Sequence, residues 1–177
     1  MTFPISERSG RIRVGTAGEA VFIQVDGRGT HAISQPLGEC MTEMVRRGYR
    51  TFRVDLGACA YMDSTFLGIL AAATLRLRGL PQGRFILVNV GARNLELLRT
   101  LGIERFFQFE GQGDGATSLP MSLERLPDSA CSLEAMGTTM LEAHKTLAEC
   151  DERNGPRFKD VIDFLEHDLS ASGTSEK

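Results

Sequence analysis

The sequence predicts an α/β fold, a central sheet flanked by helices, with a helical hairpin at its C-terminal end. Two observations lead to the α/β part: short β-branched and aromatic runs alternate with helical apolar patterns up to about residue 110, and the run at 85–90 is almost continuously apolar. The second feature is typical of a strand buried on both faces. Strands alternating with helices of 10 to 17 residues need crossover connections, and these produce parallel strands.

The elements of this α/β part can be placed in chain order. The first strand, 21–25, ends in a turn at Asp26-Gly27, and a loop is predicted at 57–62. Glycines end the predicted helices. The residues Phe106, Phe107 and Phe109 predict a final short strand or a core-filling edge. The remaining predicted strands are 50–56 and 85–90, and the helices are 33–47, the segment after Asp63 up to Gly79, and 95–101.

The last third of the chain has a different character. Residues 111–129 contain three glycines and two prolines with little periodicity, which indicates a linker. Beyond it, apolar residues form two helical stripes, and Asn154-Gly155-Pro156 separates them. The predicted division is therefore an α/β domain at 10–112, a linker at 113–130, an acidic αα-hairpin at 131–170 and a disordered tail at 171–177. The stripes are Leu133, Met136, Met140, Leu141, His144, Leu147 and Ala148, followed by Phe158, Val161, Ile162, Leu165 and Leu169.

Composition limits the classes of function. The net charge of −3 gives no reason to expect nucleic acid as a partner. No export signal or membrane-spanning stretch is evident, so we expect a soluble cytoplasmic protein. The four cysteines are far apart and form no ligand cluster with histidine, so reduced thiols are expected, with no metal and no cofactor.

Charge is distributed unevenly between the two parts of the chain. Residues 1–117 contain 14 arginines, no lysine and 11 acidic residues, whereas 118–177 contain six basic and 12 acidic residues. Ordinary solubility is the simpler interpretation. The other is an acidic module that folds against, or competes for, an arginine-bearing body.

Asp63, Ser64 and Thr65 are the residues that attract most attention. Asp63 precedes a predicted helix, where its carboxylate can accept hydrogen bonds from the first-turn N–H groups. The hydroxyls of Ser64 and Thr65 follow at a helix N-terminus, which favours negative charge and can hold a phosphate. From these residues alone, an ordinary helix cap is the simpler interpretation.

The stretch VDLGACAYMDSTFLGIL, residues 54–70, resembles the signature of the STAS domain, which anti-sigma factor antagonists share with sulfate transporter tails. The resemblance extends over roughly 11–110. It implies a mixed central sheet flanked by helices and a non-enzymatic binding module without catalytic residues. It also implies that Ser64 is phosphorylated by a partner serine kinase of the histidine-kinase-like ATPase type, which is also the anti-sigma factor. Thr65 is the second candidate, and Asp63, Ser64, Thr65, Asp26 and Arg28 form the expected partner-binding set.

Phe66 departs from the family pattern, which has glycine at this position. It precedes Ile69, Leu70, Ala73 and Leu77 at helical spacings, so we expect its ring in the core and Ser64 exposed at the helix start.

Two other functions stay open. Asp26-Gly27-Arg28-Gly29 could form a phosphate-cradling loop in a nucleotide- or anion-sensing module, although a plain turn is the simpler interpretation. The chain could also be a scaffold subunit that forms homo-oligomers through its hairpin and is never phosphorylated. His144 is interpreted as a packed helix residue, and a hydrolase is not favoured because no acid–histidine pair can be assigned.

Overall fold

The computed structural model describes residues 10–111, 122–127 and 132–172. Within these residues, seven strands form one sheet, and five α-helices and one 3-10 helix (Glu104–Phe106) accompany it. The strands are β1 (Arg11–Ala17), β2 (Ala20–Gly29), β3 (Thr51–Asp55), β4 (Cys59–Met62), β5 (Arg84–Val88), β6 (Gln108–Glu110) and β7 (Glu124–Arg125). The helices are α1 (His31–Arg46), α2 (Ser64–Arg78), α3 (Ala92–Thr100), α4 (Leu133–Cys150) and α5 (Asn154–Ser172).

The sheet is mixed. Its order is β6-β5-β3-β2-β1-β7, and β4 pairs separately with the end of β2. The pairs β2–β3, β3–β5, β5–β6 and β2–β4 are parallel, as expected when helices connect them. The pairs β1–β2 and β1–β7 are antiparallel. The mixed sheet with flanking helices confirms the predicted fold class.

The second strand is longer than the sequence suggested, and the loop predicted at 57–62 is a turn only at 57–58, because Cys59–Met62 form β4. β2 continues through Asp26 to Gly29, and its partner changes from β3 to β4 at an irregularity between Gly27 and Arg28. Gly27 has a φ of +82°, a left-handed conformation that glycine adopts without steric cost. The bulge therefore extends β2 beyond the predicted turn and gives β4 a strand to pair with.

The hydrophobic core extends from the sheet into the C-terminal hairpin. α1 and α2 pack against each other, and α4 lies along α2. Leu147, Cys150 and Phe158 of the hairpin belong to the same buried cluster as the strand residues Phe52 and Val54. The apolar stripes of the hairpin are therefore buried partly against this chain's own α/β part.

The turn of the hairpin is fastened by polar contacts to the segment that follows α3. The Asn154 amide donates to the carbonyl oxygens of Leu101 (2.8 Å) and Leu147 (2.9 Å). The Arg105 guanidinium donates to the Cys150 carbonyl at 2.6 Å. The carbonyls of Leu147 and Cys150 lie at the end of α4, and that of Leu101 at the end of α3, where helices leave carbonyls without an intrahelical partner.

Three expectations for the last third of the chain need correction. Glu124 and Arg125, predicted to lie in a linker, form β7 at the edge of the sheet. Ala171 and Ser172, predicted to belong to a disordered tail, continue α5, and the rest of that tail lies outside the described residues. Leu133, assigned to the apolar stripe of α4, is 87% exposed.

Candidate functional site

Asp63 joins the starts of two helices. As the N-cap of α2, it accepts from the Phe66 N–H through Oδ1 at 2.8 Å. Its other oxygen, Oδ2, accepts from the His31 N–H at the start of α1, also at 2.8 Å. One carboxylate thus satisfies free N–H groups of both helices, where their dipoles favour negative charge. The predicted cap is observed, and its link to α1 is a feature that the sequence did not indicate.

Ser64, the first residue of α2, contacts the C-terminal hairpin. Its Oγ lies 2.8 Å from Nε2 of His144. The other ring nitrogen, Nδ1, lies 2.7 Å from the Met140 carbonyl oxygen. Because a carbonyl oxygen can only accept, Nδ1 carries a proton, and in the neutral imidazole Nε2 then accepts from the Ser64 hydroxyl. Ser64 is half-buried, so the expectation of a freely exposed serine is wrong.

The His144 side chain is held firmly in this orientation. It is only 4% exposed, and its ring meets Phe158 of α5 edge to face at a centroid distance of 5.2 Å. Its interpretation as a packed helix residue was therefore right about burial. The sequence did not reveal that this ring is hydrogen-bonded to Ser64.

α4 approaches α2 backbone to backbone beside this pair. A β-carbon added to Gly68 would lie 2.4 Å from the carbonyl oxygen of Ala143, which is too close for any side chain. Ala143 precedes His144 in α4 and is itself buried. A small residue on each helix thus permits the close contact that brings His144 to Ser64.

The two residues after Ser64 face the interior. Phe66 is 0% exposed, and its ring fills the space where Gly29 has no side chain: a β-carbon there would lie 2.7 Å from the ring. Its predicted place in the core is confirmed. Thr65, the second candidate phosphoacceptor, is also buried, so its hydroxyl is less accessible than that of Ser64.

Asp26 and Arg28 lie in strand β2 and not in a loop. The Asp26 carboxylate accepts from the Arg13 guanidinium of β1 at 2.9 Å. The guanidinium of Arg28 lies 4.6 Å from the ring centroid of Tyr61, and that of Arg93 lies 5.5 Å from the same centroid. Cation–π attraction holds both arginines over this ring. Residues 26–29 therefore form part of a strand and do not form the phosphate-cradling loop that the sequence left open.

Comparison with known proteins identifies the family. A model described as "Mlab, STAS domain" matches residues 12–109, more than half of the chain. The chain belongs to the STAS domain family. No curated protein sequence matched it.

Several solved structures share the fold of this STAS domain. An anti-sigma factor antagonist from Mycobacterium paratuberculosis is 23% identical, with a TM-score of 0.53 over 60% of this chain and 89% of that one. A putative anti-sigma factor antagonist from Thermotoga maritima is 14% identical, with a TM-score of 0.52 over 57% and 86%. The phosphorylated form of SpoIIAA, a Bacillus cell fate determinant, is 17% identical, with a TM-score of 0.50 over 58% and 92%.

The contact between Ser64 and His144 joins the STAS domain to residues outside the family match. His144 lies in α4, beyond residue 109, where that match ends. Among the described residues, no group of three or more His, Cys, Asp or Glu side chains could hold a metal ion. No helix within the described ranges is long and apolar enough to cross a membrane.

Proposed function

We propose that this STAS domain is a cytoplasmic, phosphorylation-regulated protein-binding module of the anti-sigma factor antagonist type. Its partner would be a serine kinase of the histidine-kinase-like ATPase type that also acts as the anti-sigma factor, and Ser64 would be the phosphoacceptor. The expected binding face contains Asp63, Ser64, Asp26 and Arg28, and Thr65 contributes from below the surface.

The observation that supports this proposal most directly is the position of Ser64. It is the first residue of the 15-residue helix α2, directly after the cap Asp63, in a domain of the STAS family. A helix N-terminus accommodates a phosphate group well because its amides and dipole favour negative charge. One solved structure with this fold is described as a phosphorylated form.

Electrostatics suggests how phosphorylation would control binding. Arg28 and Arg93 are exposed and lie against Tyr61, two residues before Asp63. Exposed arginines suit a partner surface that carries carboxylates. A phosphate on Ser64 would add about −1.5 to −2 charge to this face and repel such a surface. A coupling of about 1–3 kcal/mol would change the affinity roughly 5- to 150-fold.

Phosphopeptide mapping of the protein recovered from its source cells tests the site. We expect phosphate on Ser64 in the wild type, and none at this position or at Thr65 in Ser64→Ala. Ser170→Ala, which removes an exposed serine of α5, is the control and should retain phosphate on Ser64. If Ser64→Ala accepts as much phosphate as the wild type, the site assignment is wrong.

The same lysate tests the partner. Ser64→Ala used as bait should retain a protein with a histidine-kinase-like ATPase domain, whereas Ser64→Asp should retain much less of it. Equal recovery of this protein by both baits would contradict phosphorylation-controlled binding.

A further inference from the structure

We propose that the C-terminal hairpin is an intramolecular cover for Ser64, so that a protein partner reaches the serine only when α4 moves off α2. This inference rests on the proposed role of Ser64, because it describes how access to that hydroxyl is controlled. The hairpin lies outside the STAS family match. In this proposal it competes with the protein partner for the face that contains Ser64.

The first step of the argument is the direct contact with the serine. The Ser64 hydroxyl is hydrogen-bonded to His144 Nε2 at 2.8 Å, and the imidazole is fixed by the Met140 carbonyl and by the ring of Phe158. A serine kinase transfers phosphate only to a hydroxyl that it can position. The hydroxyl oxygen has to lie in line with the phosphorus–oxygen bond that breaks in the donor. A hydroxyl held under a buried histidine lacks this freedom of approach.

The second step is the absence of space beside the serine. One turn beyond Ser64, the Gly68 and Ala143 backbones are in such close contact that a single added methyl group would overlap the Ala143 carbonyl. A partner surface therefore cannot enter between α2 and α4 at this level. It has to displace α4 or bind elsewhere.

The third step is the uneven packing of α4, which makes such a displacement possible. All of α4 belongs to the described part of the chain. Its buried residues all lie within its last eight positions, and they are Ala143, His144, Leu147 and Cys150. Its first half lies beside a cavity of about 850 Å³, lined by α1, α2 and residues such as Ala135 and Thr139. Segments with few buried apolar contacts open at a lower free-energy cost than the core.

The turn at the other end of α4 provides a fixed point for this movement. Asn154 and Arg105 fasten the turn to the segment after α3. α4 is thus anchored at its C-terminal end and loosely packed at its N-terminal end. His144 lies at the boundary between the two halves, so opening from the N-terminal end would release Ser64 before the buried Leu147 and Cys150 have to leave the core.

The test uses the accessibility of position 64 and needs no kinase. Ser64→Cys is made in the full chain with Cys40→Ser and Cys131→Ser, while the buried Cys59 and Cys150 are kept. Burial raises the pKa of both remaining thiols, which keeps them protonated and slow to react. The rate of labelling at position 64 is measured by mass spectrometry of the peptide that contains it. One reagent is iodoacetamide, and the other carries the same reactive iodoacetamide group on a bulky polyethylene glycol chain. The ratio of the two rates cancels any effect of His144 on thiol reactivity.

Gly68→Ala is the variant that pushes α4 away, and Gly38→Ala in α1 is its matched control. The methyl group added at Gly38 would meet Ile69 at 3.6 Å, an ordinary contact. We expect Gly68→Ala to raise the relative rate of the bulky reagent by about tenfold, and Gly38→Ala to leave it unchanged. Equal relative rates in the parent and in Gly68→Ala would overturn the proposal.

Phosphoserine incorporated at position 64 provides a second measurement on the full chain, in case Gly68→Ala does not fold. A phosphate group has no space between Ser64 and His144, so hydrogen exchange in residues 133–142 should become faster than in the unmodified chain. Slower exchange there would mean that His144 binds the phosphate, and would overturn the cover. If labelling reveals the cover but the protein from its source cells carries no phosphate at Ser64, the proposed function fails while the cover stands.

Discussion

Ser64 and His144 are 80 residues apart in the chain, yet Oγ of Ser64 and Nε2 of His144 are 2.8 Å apart in the structure. The serine begins the second helix of the STAS domain, and the histidine belongs to the hairpin that follows the domain. This single hydrogen bond therefore connects the proposed site of modification to the segment that can cover it.

Replacing His144 should destabilise the fold. His144→Ala removes a buried ring from its contact with Phe158 and two hydrogen bonds. We expect a loss of about 2–3 kcal/mol in the free energy of unfolding, measured by urea denaturation. His167→Ala, at an exposed position of α5, is the control and should change it by less than about 0.5 kcal/mol. Similar losses in the two variants would contradict the described packing of His144.

Phe66 should be among the most important core residues. Its ring is fully buried and packs against Gly29. Phe66→Gly should cost about 3–5 kcal/mol for the lost packing, plus about 1 kcal/mol for glycine in a helix. Phe164→Ala is the matched control, because Phe164 is 66% exposed, and it should have little effect. A small loss in Phe66→Gly would show that the helix start is packed differently.

Asp63 should contribute to stability through both of its oxygens. Asp63→Ala leaves the N–H groups of Phe66 and His31 without their acceptor. We expect a loss of about 1–2 kcal/mol, and Asp63→Asn should restore part of it because asparagine also caps helices. Ser132→Ala, which removes the cap of α4, should cost about 1 kcal/mol. Urea midpoints compare the three variants.

Glu43 should contribute a pH-dependent part of the stability. Hydrogen bonds from Arg46 and Arg47 lower the pKa of the Glu43 carboxyl to about 2 from its ordinary 4.5. Because the folded-state pKa is the lower one, the stabilisation is complete above the ordinary range and is lost as pH falls towards about 2.

The melting temperatures of the wild type and of Glu43→Gln should therefore differ at pH 7 and converge at acid pH. The difference should be small and should shrink in salt, because the pair lies at the surface. Glu39→Gln is the control, because the Glu39 carboxylate accepts a hydrogen bond from the Gln35 amide. Its melting temperature should not converge with that of the wild type in this way. A constant difference across the pH range would contradict the described role of Glu43.

Truncation after Ser129 should expose the surface that the hairpin covers. The truncated chain loses Leu147, Cys150 and Phe158 from the shared core. We expect a lower melting temperature and a tendency to associate, because a patch of several hundred Å² becomes exposed. An unchanged melting curve with an unchanged mass in solution would show that the hairpin contributes nothing to this core.

Local sequence signals were sufficient for much of this structure. Asp63 was recognisable as a cap from its position before an apolar helical pattern, and Phe66 as a core residue from its spacing to Ile69 and Leu70. Strand β4 was missed because it exists only through its pairing with β2 beyond the bulge at Gly27. That pairing is a tertiary feature, which local patterns do not encode.

The contact of His144 with Ser64 could not be predicted because it depends on how α4 is placed on α2. Helical periodicity indicates which face of a helix is buried but not which residue of another helix it will meet. Gly68 and Ala143 carry a partial signal, since small residues allow helices to approach closely. Leu133 illustrates the opposite error: its spacing suits the apolar stripe, but it lies at the loosely packed start of α4 and is exposed.

Strand β7 limits how far the hairpin can travel. The Leu126 N–H donates to the Ile12 carbonyl oxygen at 2.9 Å, beside the β1–β7 pair. The chain advances six residues from there to Ser132, and six extended residues span at most about 22 Å. β7 therefore acts as a tether that holds a displaced hairpin near its own STAS domain, at an effective concentration on the order of millimolar. A partner present at micromolar concentration must then bind the shared face roughly a thousandfold more tightly than the hairpin does.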